Sequence, residues 1–363
     1  MKRNSIKGLL FMAAILLASC GNSNVKMHTT VHEDGWIDRE FSYSTEMTKE
    51  DRDSMMQSKG AALAQPIPEC LNTKAFMGTH TEVEGDTVTT TFSRSFRSPE
   101  EMSQESPLQL NGKQLQSKAS LDKRFRWFYT EYTFTETFAC VGDTFKLPAT
   151  DYADKDVVSF WFTGQPNLIQ GMSGAEASAK LSQIEPKITQ WLNDNMFKTC
   201  FDFIANHYDS IANPPVSREQ FLALQDSMAR KMLEGQDDIL GIEATDAFRD
   251  FFHSDAYAIF FDKNSKLSEA LSDELSDKMG ILGFSVAYTL SMPGHITDPG
   301  TGIIRDGVIY YPLTGEHLVP HDYVITATSR VTHVWAYILT FLVILLAIGS
   351  RLKVKRKKSK KVK

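Results

Sequence analysis

Apolar and polar residues alternate in the first third of the chain, and this period of two predicts β-strands. The segments are residues 36–43, 87–96 and 126–138, with a short helix predicted over 51–63. In 87–96 one face carries Val88, Thr90, Phe92 and Phe96. In 126–138 one face carries Phe128, Tyr132, Phe134 and Phe138, and the other Trp127 and Tyr129. Aromatic and β-branched residues in this pattern favour sheet.

The period changes between residues 173 and 280, where apolar residues recur every three or four positions. One such stripe is formed by Phe197, Phe201, Ile204, Tyr208 and Ile211. We predict that Pro186 begins this helix and that Gly280 ends the last helix of the segment as its C-cap. Ser217 and Gln220 have the spacing of a capping box at the start of another helix.

Strand patterning returns after the helical segment and predicts a sheet shared by both ends of the body. From Leu282 to Met292 every second residue is large and apolar, and shorter strands are predicted over 307–313 and 323–327. Strands at both ends with helices between them predict an α+β fold. We expect one antiparallel sheet built from the N- and C-terminal strands, with the helical block inserted or covering it.

The C-terminus has the pattern of a membrane span followed by a basic tail. Val334–Ser350 carries no charge, and its 17 residues are near the lower limit for a spanning helix. Trp335 and Tyr337 lie where interfacial aromatic residues are typical. The tail contains Arg351, Lys353, Lys355, Arg356, Lys357, Lys358, Lys360, Lys361 and Lys363. Such a tail predicts a cytoplasmic C-terminus and a translocated body; nucleic-acid binding is the alternative interpretation.

The N-terminus has the pattern of a secretory signal. Lys2, Arg3 and Lys7 precede a short apolar core over residues 8–16, and Leu17-Ala18-Ser19-Cys20 follows. This tetrapeptide resembles the lipobox of bacterial lipoproteins. The resemblance implies a diacylglycerol on the Cys20 thiol, cleavage before Cys20 and acylation of the new amino terminus. The alternative is an ordinary signal peptide with an incidental cysteine.

The two ends together predict a domain order and a compartment. The predicted segments are a signal peptide over 1–19, a β-rich part over 20–172, a helical insertion over 173–280, a β-meander over 281–330, a transmembrane helix over 334–350 and a cytoplasmic tail over 351–363. We expect both anchors in the bacterial inner membrane and a periplasmic body. The alternative, in which the body bridges to the outer membrane, needs a very elongated body.

The net charge limits which partners the body can bind, and the cysteine content limits which disulfides it can form. The cations of the tail and of the signal segment leave a net charge of −18 for residues 20–350. So acidic a body does not bind nucleic acid by bulk attraction. A periplasmic compartment permits disulfides, and Cys70 and Cys140, both in the β-rich part, are the preferred pair. Cys200 falls in the predicted helix and is interpreted as a buried apolar residue.

Motifs for catalysis, metals or cofactors are weak. The run Gly171-Met172-Ser173-Gly174-Ala175 resembles a nucleophile elbow only in part, and Ser173 fits a helix N-cap better. His317 and His321 are four residues apart, but Pro320 lies between them and prevents a helix from aligning them as metal ligands. We therefore predict no catalytic residues, no metal and no cofactor.

The C-terminal third resembles the LppM-like family of bacterial envelope lipoproteins. The similar residues are Met292-Pro293-Gly294-His295, Asp306-Gly307 and Ala327-Thr328-Ser329 before the span. The family has asparagine-glycine in the hairpin and tryptophan on the next strand, where this chain has Pro299-Gly300 and Tyr310 or Tyr311. The resemblance implies an envelope protein with a lipid- or glycolipid-binding domain and no catalytic residues.

Three functions therefore compete. The first is a non-enzymatic interaction or assembly module at the periplasmic face of the inner membrane, with membrane lipid and other envelope proteins as partners. The second is a binder of lipid or another hydrophobic ligand, in which the aromatic residues of segment 126–138 line a pocket rather than a core. The third is an enzyme whose active-site residues are distant in sequence.

Overall fold

Strands from both ends of the body pair with each other, in two facing sheets. The computed structural model describes residues 25–46, 48, 67–76, 79–233 and 244–360; Cys20 with its lipobox and the predicted helix at 51–63 lie outside them. The first strands are β1 (Lys26–Val31), β2 (Ile37–Glu46), β3 (Thr79–Glu84), β4 (Thr87–Phe96), β5 (Gln109–Leu110), β6 (Lys113–Gln114), β7 (Ser117–Phe125) and β8 (Tyr129–Phe138). The later strands are β9 (Ser285–Ser291), β10 (His295–Asp298), β11 (Ile303–Arg305), β12 (Val308–Thr314) and β13 (Tyr323–Thr332).

The larger sheet has the strand order β11-β12-β9-β1-β2-β4-β3, and the smaller has the order β10-β13-β8-β7. The α+β class is confirmed, but the single antiparallel sheet is wrong in two respects. The strands form two large sheets, and β1 pairs with β9 in parallel. The hairpin with β2 occupies one edge of β1, and β9 reaches the other edge only after the long helical excursion, which permits either direction.

The core of this sandwich is formed by the inward faces of both sheets. The larger sheet contributes Phe41, Phe92 and Tyr288, and the smaller contributes Phe134, Phe138 and Ile325. Val88, Thr90, Phe92 and Phe96 are all buried, which confirms the predicted face of that strand. The two sheets are also joined by a fully buried ion pair between Arg39 and Glu136.

The described helices are α1 (Pro99–Gln104), α2 (Lys155–Thr163), α3 (Gly174–Asn206), α4 (Arg218–Ala223), α5 (Gln225–Leu233), α6 (Ala244–Phe252), α7 (Lys266–Gly283) and α8 (Val334–Lys360). Helices α2 to α7 form a layer beside the sandwich, whereas α1 packs against β7 and α8 follows β13. The predicted stripe on α3 and in the turn after it packs against Phe221 and Tyr257. Ser173 and Ser217 form complete capping boxes with Glu176 and Gln220, so both cap predictions are confirmed.

Three helix boundaries differ from the prediction. Pro186 lies inside α3 on its exposed side, where the lost hydrogen bond is offset by the buried stripe, and the Ser173 cap begins the helix instead. Gly280 lies inside α7, which continues to Gly283 because Ile281 and Leu282 pack against Trp191 and the residues around it. Helical structure also begins before residue 173, with α2.

The sandwich has a proximal end, where β13 continues into α8, and a distal end opposite. Tyr129 pairs with Thr332, so β8 runs from the proximal to the distal end. The carbonyl of Glu33, in the β1–β2 turn, accepts a hydrogen bond of 3.2 Å from the Tyr132 hydroxyl near the proximal end. Arg39, which pairs with Thr29 in β1, reaches Glu136 further along β8. Strand β1 therefore begins, at Lys26, at the distal end.

Candidate membrane-facing site

The candidate site lies where the smaller sheet meets α8. Strand β13 ends at Thr332, and α8 begins at Val334, so His333 alone connects them. Val334–Arg351 is long and apolar enough to cross a membrane, and it is the one such helix in the described part of the chain. Only 6% of this window is buried, so the helix does not belong to the core of the body.

The tip of the β7–β8 hairpin packs against the first two turns of α8. The Trp127 Nε1–H donates a hydrogen bond of 2.9 Å to Thr340 Oγ1, and the Trp127 ring lies edge-on to Trp335 with centroids 5.4 Å apart. The Phe128 and Tyr337 ring centroids are 4.6 Å apart. We call this set the aromatic collar: Phe125, Trp127, Phe128, His333, Trp335 and Tyr337.

His333 fixes the collar to the smaller sheet. Its backbone N–H donates to the Phe128 carbonyl at 2.8 Å, and its Nε2 lies 2.9 Å from Thr130 Oγ1. The imidazole stacks with Phe125 on one side and with Trp335 on the other, at centroid distances of 5.1 and 5.7 Å. The connection between the body and α8 is therefore hydrogen-bonded and packed, and the helix leaves the sandwich in a defined direction.

Much of the collar is nevertheless open to the surroundings. Phe125 is 62% exposed, Trp127 is 46% exposed and Trp335 is 51% exposed. Large aromatic side chains with this exposure, grouped on one surface, mark an interaction site or a membrane-contacting surface. The sequence placed Trp335 and Tyr337 at a membrane interface, but it did not join them to Trp127. The pairing of β8 with β13 supplies that proximity.

Charged side chains surround the collar. Lys123, Arg124 and Arg126 lie on the hairpin, and Lys123 Nζ donates to the Glu33 carbonyl at 2.6 Å. Arg124 pairs with Asp122, and Arg330 of β13 pairs with Glu131 at 2.8 Å. Both ion pairs are exposed, so they contribute little to folding. The Arg126 side chain is exposed at the tip, and its backbone N–H closes the turn by donating to the Tyr129 carbonyl.

Three of the aromatic residues proposed for a pocket lie in the core. Tyr132, Phe134 and Phe138 of β8 are at most 2% exposed and face the larger sheet. The Phe138 ring is edge-on to Tyr288, with centroids 6.4 Å apart. These side chains therefore fill the space between the sheets, which is the core interpretation of their alternation.

The three described cysteines are free thiols, so the disulfide predicted between Cys70 and Cys140 is not present. Each thiol has its own surroundings. The Cys140 Sγ lies 3.4 Å from the Val319 carbonyl oxygen and accepts from the Gly142 N–H. Cys70 packs against the sandwich core, where burial raises its pKa to about 11. Burial also raises the pKa of Cys200 to about 12, as expected for an apolar position in α3.

Residues with catalytic potential were also located. Ser173 caps α3 and is hydrogen-bonded to Glu176, so it has the predicted structural role. The Ser159 hydroxyl lies 3.0 Å from His321 Nε2, a contact that resembles a nucleophile and its base. Ser159 is buried within α2, however, and its hydroxyl also lies 2.6 Å from the Gln165 carbonyl, so a substrate has no approach to it. No group of three potential metal ligands occurs among the described residues.

The residues of the predicted cytoplasmic anchor lie on the same helix as the apolar window. Helix α8 extends from Val334 to Lys360, so Arg351, Lys353, Lys355, Arg356, Lys357 and Lys358 all lie on it. The cationic end and the collar are therefore at opposite ends of one helix, separated by the apolar window.

No family model, curated protein or solved structure matches this chain. The LppM-like resemblance thus stays a prediction, and three of the residues that suggested it have local explanations. Gly294 has a φ of +74°, and a Cβ there would meet the Arg330 carbonyl oxygen at 2.2 Å. Asp306 and Gly307 both have positive φ in the β11–β12 turn. The geometry of these tight turns is sufficient to explain the residues found there.

Proposed function

We propose that the chain is a non-enzymatic, membrane-anchored protein of the bacterial envelope, an interaction or assembly module held at the periplasmic face of the inner membrane. The observation that supports this proposal is the continuity of β13 with α8, reinforced by the aromatic collar. A span attached in this way presents the sandwich and the helical layer to one side of a membrane. Such an arrangement suits a protein that displays surfaces to partners.

The distribution of charge along the chain supports a body that lies outside the cytoplasm. The tail after the span carries nine cations within 13 residues, whereas residues 20–350 have a net charge of −18. Cationic segments remain in the cytoplasm, so the body belongs outside it. Acylation of Cys20 is a second part of the proposal and would add a lipid anchor at the other end.

Topology mapping tests both parts. Acyl labelling of the wild type and of Cys20→Ala in cells should give a labelled and an unlabelled protein, respectively. Cys140→Ala, which removes an exposed thiol, is the matched control and should keep the label. Protease added to spheroplasts should digest the body and spare the tail, and the protein should fractionate with the inner membrane. A protease-accessible tail, or labelling that survives in Cys20→Ala, would contradict the corresponding part.

A further inference from the structure

We propose that the tip of the β7–β8 hairpin is itself embedded in the interfacial layer of the bilayer that α8 crosses, as a second membrane contact of the folded body. This inference rests on the proposed function, because it takes α8 to be a membrane span. Its partner is the lipid surface: the headgroup and upper acyl region of the leaflet on the body's side.

The first step is the depth of the contact along α8. The uncharged stretch Val334–Ser350 has 17 residues, or about 26 Å at 1.5 Å per residue, slightly less than the ~30 Å hydrocarbon thickness of a bilayer. The whole stretch is therefore needed to cross. The cations that begin at Arg351 prevent it from sliding toward the C-terminus. Trp335 must then lie at the interface, and Thr340 about 7.5 Å further along the helix.

The second step is that the hairpin reaches the same depth. Trp127 contacts both Trp335 and Thr340, and Phe128 contacts Tyr337. A side chain that touches Thr340 lies beyond the start of the span. The tip therefore enters the bilayer to the depth typical of interfacial segments, ~5–10 Å below the headgroup boundary.

The third step is chemical. Tryptophan has an apolar ring and a single N–H donor, and it favours the membrane interface when the donor has a partner. Trp127 meets this condition because Thr340 accepts its hydrogen bond. Phe125 is 62% exposed, which is costly in water but not against lipid. Arg126 places a cation beside these rings, and its long side chain reaches back from the tip toward the lipid phosphates.

The surrounding acids do not oppose this placement. Asp122 is paired with Arg124, and Glu131 is paired with Arg330. Glu33 and Asp34 are in the β1–β2 turn, which contacts Lys123 and Tyr132 above the tip. The part that enters the interface, residues 125–128, carries no carboxylate.

Photo-crosslinking to lipid tests the inference in the full-length protein. The protein is reconstituted in vesicles of phosphatidylcholine and phosphatidylglycerol that contain a phosphatidylcholine with a diazirine at the top of its acyl chain. Mass spectrometry then locates the crosslinks. We expect label on the peptide that contains residues 125–129 and on the peptide that begins α8. The double variant Phe125→Ser/Trp127→Ser should lose most of the hairpin label and keep the α8 label.

The matched control is Val324→Ser, which removes an exposed apolar side chain at the distal start of β13. It should leave both labels unchanged. Label on α8 without label on the hairpin would overturn the inference and leave the proposed function intact. Absence of label from both peptides would overturn the inference together with the membrane span. Circular dichroism of the variants confirms that these exposed substitutions preserve the fold.

Discussion

Arg39 and Glu136 form the polar centre of the sandwich. Both side chains are fully buried, and two hydrogen bonds of 2.9 and 2.6 Å join the guanidinium to the carboxylate. Tyr288 donates to Glu136 at 2.8 Å, and Thr29 accepts from Arg39 at 3.0 Å. A buried pair needs such additional partners, because each ion has lost its hydration. The network therefore specifies which residue of the larger sheet faces β8.

Breaking this pair should be costly. We expect Glu136→Gln to lower the free energy of unfolding by ~3–5 kcal/mol, because it leaves the Arg39 charge buried without a counter-ion. Denaturant unfolding of the detergent-solubilised protein measures the change. The double variant Arg39→Met/Glu136→Leu should recover most of the loss, because it buries no charge. A loss below ~1 kcal/mol for Glu136→Gln, the range of exposed pairs, would contradict the prediction.

Glu316, in the turn after β12, should make stability depend on pH. Burial raises the pKa of its carboxyl above the ordinary value of 4.5. The folded state therefore holds this proton more tightly than the unfolded state, and the associated stability is lost as the pH rises above about 4.5. Glu316→Gln should raise the midpoint of thermal unfolding at pH 7 and change it little at pH 4. An equal shift at both pH values would contradict this cause.

The residues explain which features the sequence could disclose. Caps are local, so Ser173 and Ser217 were identified from their spacing to Glu176 and Gln220. The Arg39–Glu136 pair is separated by 97 residues and was not anticipated. A signal for it did exist: Arg39 occupies an inward position between Ile37 and Phe41, and Glu136 one between Phe134 and Phe138. Two opposite charges on inward faces indicate a pair across the core.

Among the elements, α3 is notable because it continues through a proline. Pro186 lacks the N–H that would donate to the residue 182 carbonyl, and its ring crowds that turn. Ile184, Ile188 and Trp191 on either side of it are buried. The burial of this face keeps the helix continuous where local propensity would end it, which is why the sequence pattern misplaced its start.

Replacing this proline should therefore stabilise the protein. Pro186 is on the exposed side of α3, so Pro186→Ala removes no core contact and restores one helical hydrogen bond. We expect the free energy of unfolding to increase by about 1–3 kcal/mol. The matched control is Gln190→Ala, one turn later on the same side, which should change it by a few tenths of a kcal/mol. A destabilised Pro186→Ala variant would show that α3 needs the proline.

Strands that pair with another strand on each side could be predicted from the sequence more readily than strands at the edge of a sheet. Residues 87–96 were predicted with the bounds that β4 has, and β4 lies between β2 and β3. Strand β7 was not predicted, although it pairs with β8 along its whole length. It is an edge strand, and its second half, Asp122–Phe125, is exposed on both sides. An edge strand lacks the burial that produces strict alternation.

At the scale of the whole molecule, the sequence predicted which kinds of secondary structure form the layers but not how the layers are arranged. The α+β class and the apolar C-terminal helix follow from local periodicity, which is why they could be predicted. The parallel pairing of β1 with β9 and the contact of Trp127 with α8 join residues more than 200 positions apart, and the division into two sheets also depends on distant pairings. No local pattern encodes such a pairing.

The direction of β1 has a consequence for any lipid on Cys20. Strand β8 spans nine residue steps, so an upright sandwich places its distal end ~30 Å from the collar. Lys26 begins β1 at that distal end. From Cys20 to Val25 there are five residue steps, which extend over at most ~18 Å. If α8 crosses a membrane as proposed, a lipid on Cys20 can enter that membrane only if the body leans toward it.

A longer segment between Cys20 and β1 should allow the body to stand more upright on the membrane. We expect a flexible ten-residue Gly/Ser insertion after Gly21 to increase the distance between the distal end and the membrane. Energy transfer from a donor on Val324→Cys, in a Cys140→Ser background, to acceptor-labelled headgroups should decrease. Cys20→Ala, which has no lipid, should give the same decrease without the insertion. Equal transfer in all three proteins would show that the segment exerts no pull.

The body would then be attached to the membrane at two points, the collar and the lipid on Cys20. The segment between Cys20 and β1 would be too short for the body to stand upright. The tilt of the body relative to the membrane would be set by the number of residues between Cys20 and β1. This tilt would determine which face of the helical layer is turned to the envelope. The length of this short segment would thus determine how the whole body is presented.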